Sequence, residues 1–147
     1  MMKHIVTAAL IATGLAAPAL ACPNWQAAPS YGQITLSAGF LPDPYVLDVT
    51  AGGDYDLAGC FDGWTGSVAW TPDYDLVWSG SSSQLTIGVD SEADTVLLIN
   101  APDGQWYYSG DASGLTFSNP QQGLYDIWVG ANSGSNGMPG KLVITEQ

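Results

Sequence analysis

Beyond position 21, no window of eleven or more residues carries apolar side chains at helical spacing. Short alternating runs recur instead, each ended by turn residues. Tyr45, Leu47 and Val49 alternate with Val46, Asp48 and Thr50 until Gly52-Gly53-Asp54 breaks the run. Val68 and Trp70 share one face of a segment ending at Thr71-Pro72-Asp73. Tyr74, Leu76 and Trp78 alternate with Asp75 and Val77, and Leu85, Ile87 and Val89 follow. A period of two sends neighbours to opposite faces of a strand, so each run needs a second layer to bury its apolar face. Residues 94–99 are nearly continuous in apolar side chains, which predicts a central strand covered on both faces. In Asn100-Ala101-Pro102-Asp103-Gly104 the proline presets one dihedral and the glycine accepts a positive φ, so Trp106-Tyr107-Tyr108 should return as a hairpin. Residues 115–117, 124–129 and 141–145 supply further short strands. About nine to eleven strands with turns every eight to twelve residues predict an all-β fold, an antiparallel β-sandwich of jelly-roll-like form.

The first 21 residues read as an export signal. Lys3 begins a short positive region, Ile5 to Leu15 form an uncharged apolar run, and Ala19-Leu20-Ala21 is a small-x-small cleavage site. The expected products are a leader, residues 1–21, and one mature domain, residues 22–147, in the periplasm or outside the cell. The apolar run is short for a bilayer and no second run of such length follows, so membrane insertion is not expected. Cys22 directly after the cleavage site allows a lipoprotein reading. That signal favours leucine three positions before the cysteine, where Ala19 stands.

The leader also removes His4, the one histidine, and Lys3. Fourteen carboxylates then face a single lysine, Lys141, and no arginine, a net charge of about −13. Such a surface repels phosphate backbones and has no attraction for anionic lipid, so nucleic acid is excluded as a partner. Cations, basic peptides and uncharged sugars remain, beside the simpler role of charge in solubility. Cys22 and Cys60 make an even pair, most simply one disulfide in an oxidising compartment. Closing a loop of about 39 residues would stabilise the fold by roughly 4 kcal/mol. A lipidated Cys22 with a free Cys60, or a bridge between chains, are the alternatives.

From residue 72 onward the chain resembles the bacterial pre-peptidase C-terminal domain family. The resemblance lies in Pro72-Asp73-Tyr74-Asp75-Leu76, Leu85-Thr86-Ile87, Asp94-Thr95-Val96-Leu97-Leu98-Ile99 and Pro102-Asp103-Gly104-Gln105-Trp106. Gly123-Leu124-Tyr125-Asp126-Ile127-Trp128-Val129-Gly130 and Leu142-Val143-Ile144 complete it, about residues 72–147. The resemblance implies a jelly-roll-like sandwich and a non-catalytic role, in secretion or in binding substrate or matrix for an attached enzyme. Only about fifty residues separate the leader from Asp73, so the domain is expected to act alone.

Catalytic constellations are scarce. Serine or thiol nucleophiles need a base, and the mature chain has no histidine. Lys141 lies among apolar strand residues, and no Gly-x-Ser-x-Gly elbow occurs. A small carboxylate-dependent hydrolase is the enzymatic alternative. Among metals, calcium suits an oxygen-rich chain, with Asn100, Asp103 and Asp111 as candidate ligands. The competing role for Asn100 and Asp103 is a side-chain bond to their own turn backbone. Asp54 with Asp56, and Asp73 with Asp75, put paired carboxylates on one strand face, where solvation suffices to explain them.

Six tryptophans and seven tyrosines offer the other binding chemistry. Alternation directs Tyr74, Trp78, Tyr125 and Trp106 inward, and leaves Tyr107, Asp126 and Trp128 on a more exposed face. Those three form the candidate ligand site, since aromatics flanked by acids suit sugar rings. A structural Trp128, buried under long loops, is the alternative. The chain therefore reads as a non-catalytic, exported binding module for an extracellular polymer, glycan or protein. A structural module of a secreted assembly is the third reading.

Overall fold

The alternating runs become eleven strands in a computed structural model that describes residues 22–147. The expected leader, residues 1–21, lies outside the described residues. In chain order the strands are β1 (Gly32–Ser37), β2 (Tyr45–Thr50), β3 (Tyr55–Asp56), β4 (Ser67–Val68), β5 (Tyr74–Ser79), β6 (Gln84–Asp90), β7 (Thr95–Asn100), β8 (Trp106–Ser109), β9 (Leu115–Ser118), β10 (Gly123–Ala131) and β11 (Pro139–Thr145). One 3-10 turn, Leu57–Gly59, follows β3. Two sheets pack face to face as a sandwich. One holds β1, β5, β10, β4 and β3, with β7 and β8 on the far side of β10. The other runs β2-β11-β6-β9. From β5 onward the chain passes repeatedly between the sheets, the crossing pattern of a jelly-roll-like sandwich.

All pairs are antiparallel except β1 with β5. A parallel pair needs a long crossover, and the chain supplies it by visiting β2 in the opposite sheet. β1 itself was not among the expected strands, although Ile34 and Leu36 point inward as alternation requires.

The main core lies between the sheets. Leu76, Trp78, Ile99, Tyr125 and Ile127 of one sheet meet Leu85, Ile87, Leu142 and Ile144 of the other. β7 is buried along its whole length, as its apolar continuity predicts. A second core occupies the other face of the larger sheet. Leu57, Val68, Val96, Leu98 and Trp128 are fully buried there, with Phe61, Trp64, Trp106 and Tyr108 packed around them. The cover is the β3–β4 segment, which lies directly against β10. Gly130 makes that approach possible, since a Cβ there would sit 2.5 Å from Val96 Cγ2 and 2.8 Å from Val68 Cγ1.

This second layer corrects three expected orientations. Trp128 was placed on an exposed face and is instead fully buried, because the β3–β4 segment roofs it. Tyr107 points inward and packs on Phe117 beside the main core. Trp106 points outward, its ring tilted against those of Trp128 and Phe61. The register explains the inversion on β8: Tyr107 pairs with Ile99, a core residue, and Trp106 pairs with Asn100 on the outer face. The disulfide Cys22–Cys60 is formed, with Cα atoms 5.7 Å apart. Both sulfurs are thereby engaged, so neither a lipidated Cys22 nor a bridge between chains describes this structure.

Candidate functional site

One row of side chains crosses the outer face of the larger sheet. Register places Gln33 of β1 opposite Asp75 of β5, Asp75 opposite Asp126 of β10, Asp126 opposite Asn100 of β7, and Asn100 opposite Trp106 of β8. Cross-strand partners share a face, so these five residues form a continuous line. Apolar groups bound it on both sides. Trp128, Leu98 and Tyr108 belong to the roofed cluster, and Val77 and Leu124 pair on the other flank.

The N-terminal segment completes the enclosure. The disulfide anchors Cys22, Asn24 N–H donates to the carbonyl of Trp70, and Ser30 and Tyr31 N–H groups donate to the carbonyls of Pro72 and Asp73. An Asx turn at Asn24, whose side chain accepts from the Gln26 N–H, carries Trp25 over the sheet. The result is a groove of about 480 Å³ walled by Trp25, Trp106, Leu124 and Gln122, with Asn100 and Asp126 in its lining. Trp25 is 48% exposed and Leu124 38% exposed, so the groove opens to solvent.

Asp126 of the lining and its cross-strand partner Asp75 carry the unusual electrostatics. Asp126 is 2% exposed and Asp75 9% exposed. Their carboxyl groups lie within hydrogen-bonding reach of one another. Burial, then the charge of Asp75, pushes Asp126 up to about 7, and burial also raises Asp75. Two like charges cannot both ionise cheaply at this separation, so the pair shares a proton near neutral pH. Oδ1 of each is buried and takes no hydrogen bond from the rest of the fold. Asp73 is different. Its Oδ2 accepts the Val129 N–H at 2.7 Å where β10 lacks a strand neighbour, and burial lifts it to about 7.

The other expected site residues fall elsewhere. Tyr107 lines a second hollow of about 310 Å³ with Asp103, Phe117, Gln121 and Tyr125, on the far side of Pro102 from the groove. Its hydroxyl donates to Asp103 Oδ2 at 2.6 Å, while Asp103 Oδ1 accepts the Gln105 N–H. Asp111 Oδ1 accepts Ser113 N–H, Ser113 Oγ and Ser109 Oγ, and these bonds hold its carboxyl below the usual range. Asp103 and Asp111 thus flank β8 at opposite ends, on the order of 10 Å or more apart, and Asn100 faces the groove. The proposed calcium ligands are not assembled into one site. Among the described residues no group of three or more His, Cys, Asp or Glu could hold a metal ion.

Of the three expected ligand residues, only Asp126 enters the groove. Sequence reasoning missed Trp25, Asp75 and the outward Trp106. Asp75 and Asp126 did carry a signal: each interrupts an outer phase whose next members, Val77 and Trp128, are apolar. A carboxylate in an otherwise apolar phase marks a buried polar position rather than a solvated one.

Neither a family model nor a curated protein matches the chain. Among solved structures, Aeromonas hydrophila PliG, described as a periplasmic lysozyme inhibitor of g-type lysozyme, is similar at 17% identity and a TM-score of 0.42. That likeness covers 78% of this chain and 97% of PliG. It is too slight to bear on function. Among the described residues no helix is long and apolar enough to cross a membrane.

Proposed function

We propose that this protein is an exported, non-catalytic β-sandwich that binds an extracellular polymer or protein through the groove on its larger sheet. The observation that carries the reading is the enclosure itself: aromatic walls around a lining that holds Asn100 and Asp126. Binding sites combine largely apolar linings with a few placed polar groups, and this groove has that composition. The disulfide and the leader-like first 21 residues support work in an oxidising compartment. The resemblance of residues 72–147 to pre-peptidase C-terminal domains supports a non-catalytic role.

Hydrolysis by the carboxyl pair is disfavoured by its geometry. Glycosidase carboxyls stand about 5–9.5 Å apart to flank the scissile bond. Asp75 and Asp126 face each other as cross-strand partners with their carboxyls in hydrogen-bonding reach, too close to flank a scissile bond.

The test is a thermal-shift screen of the mature chain against soluble glycans and extracellular proteins, repeated with Trp25→Ala and Trp106→Ala. A ligand whose shift disappears in both variants, with far-UV circular dichroism unchanged, is the expected result. A ligand that binds both variants as tightly as wild type would move the site elsewhere. Turnover of any such ligand by the purified chain would overturn the non-catalytic reading.

A further inference from the structure

We propose that the groove receives an uncharged, glucose-configured pyranose chain, bonded through the side-chain amide of Asn100 and stacked on Trp25 and Trp106. The inference rests on the reading of the groove as a binding site and names what enters it.

The amide of Asn100 is the deciding feature. Ile99 and Ala101 on either side of it belong to the main core, so alternation turns Asn100 to the outer face, between Asp126 and Trp106. There it is 5% exposed and lines the groove. The side-chain bond to the turn backbone is made by Asp103 instead, and among the described residues no group gives or takes a hydrogen bond at the Asn100 side chain. A buried amide left unbonded is costly, and the side of this one that the fold leaves open is the groove. An amide offers two donors and two acceptor lone pairs in one plane. An ion uses half of that set, whereas neighbouring ring hydroxyls, each both donor and acceptor, use all of it. Trp25 and Trp106 supply the rest of the recognition. An indole face packs on the C–H face of a pyranose, which is flat when the hydroxyls stand equatorial, as in glucose.

Two competing occupants fit less well. Asp126 in the same lining and a net charge of −12 repel uronates and other anionic chains. An extended peptide docks by adding a strand to a free sheet edge. The groove lies over a sheet face instead, where β7 is already paired with β10 on one side and β8 on the other. The occupant is a chain rather than one sugar. The hollow holding Tyr107 and Phe117 meets the groove at Ala101, Pro102 and Gln121. A third hollow of about 310 Å³, beside Ser81 and Ser82, joins them at Gln121. The side chains of Gln121 and Gln122 are exposed at that junction, so further amides and rings line the path beyond the first sugar.

The experiment uses the ¹⁵N-labelled, disulfide-intact mature chain and reads the side-chain amide signals of Asn100 and the indole N–H signals of Trp25 and Trp106. The probes are cellohexaose, chitohexaose, glucose, the cellouronate hexamer and acetyl-Gly-Ser-Gly-Ser-amide. At least one neutral hexamer should shift all three residues, with glucose and the uronate at least about tenfold weaker. Asn100→Leu should weaken that hexamer at least about tenfold, while its Tm without ligand stays at or above the wild-type value, because the fold gives up no hydrogen bond. If that variant does not fold, Trp25→Ala, at an exposed position, should weaken the hexamer instead. A lowered Tm with unchanged affinity makes the amide structural and overturns the proposal. Glucose binding as tightly as the hexamers overturns the chain. Equal binding of the uronate, or binding of the peptide in place of any glycan, overturns the neutral pyranose and leaves the groove standing as a site. Signals that respond to no probe overturn the pyranose too. The groove reading fails with it only if ligands from the thermal-shift screen also leave them unmoved.

Discussion

Replacing Asp126 by asparagine should make the protein more stable at alkaline pH, although the residue is buried. Asp126 and Asp73 are each raised from the ordinary 3.8 to about 7 in the folded chain. A raised acid binds its proton more tightly in the native state, so its stabilisation is complete below about pH 4. It is lost as pH climbs through about 7. The slope is at most about 1.4 kcal/mol per pH unit for each group. Between pH 5 and pH 8 each therefore removes on the order of 2–3 kcal/mol, a large part of a typical 5–15 kcal/mol total. Asparagine keeps the shape of Asp126, can donate to Asp75, and relieves Asp75 of its charged neighbour. The variant should match wild type within about 1 kcal/mol at pH 5 and exceed it by about 2–3 kcal/mol at pH 8. Urea unfolding followed by tryptophan fluorescence at a series of pH values measures both. A variant that tracks the wild-type slope, or that is weaker at pH 8, would refute the shared-proton pair.

Asp73→Asn should remove a similar share of the pH slope while its side-chain oxygen still caps the Val129 N–H, again seen in urea titrations across pH. Trp128→Ala should cost about 3–5 kcal/mol because the ring is fully buried in the second core, whereas Trp25→Ala should change stability by well under 1 kcal/mol; chemical denaturation separates the two. Gly130→Ala should destabilise by about 1–3 kcal/mol, since its Cβ would collide with Val96 and Val68, read as a lowered Tm. Changing both Cys22 and Cys60 to serine should remove about 4 kcal/mol, the loop-closure share of a 38-residue separation, measured as a lower denaturation midpoint.

Much of the sandwich was legible because alternation reports which side chains can share a face. Leu76, Trp78, Tyr125 and Ile127 are buried where period two puts them, and the continuous run of β7 is covered on both sides. The same rule cannot say what covers the second face. Trp128 looked exposed because alternation is silent about the β3–β4 roof, whose strands are only two residues each and leave no periodic trace. The β8 hairpin failed for a related reason. Three aromatics in a row, Trp106-Tyr107-Tyr108, have no polar phase, so only pairing with β7 decides their direction. Trp25 was invisible altogether: it sits outside any strand, and its place depends on a covalent tie and backbone bonds to residues about 45 positions away.

That tie also bears on the groove. Trp25 stands three residues from Cys22, and the bond to Cys60 carries the chain that holds it over the sheet. Without that bond the Trp25 segment would be held to the body by the Asn24 N–H on the Trp70 carbonyl and the bonds of Ser30 and Tyr31 alone, so one wall of the groove answers to the oxidation state of a bridge that lies outside the groove.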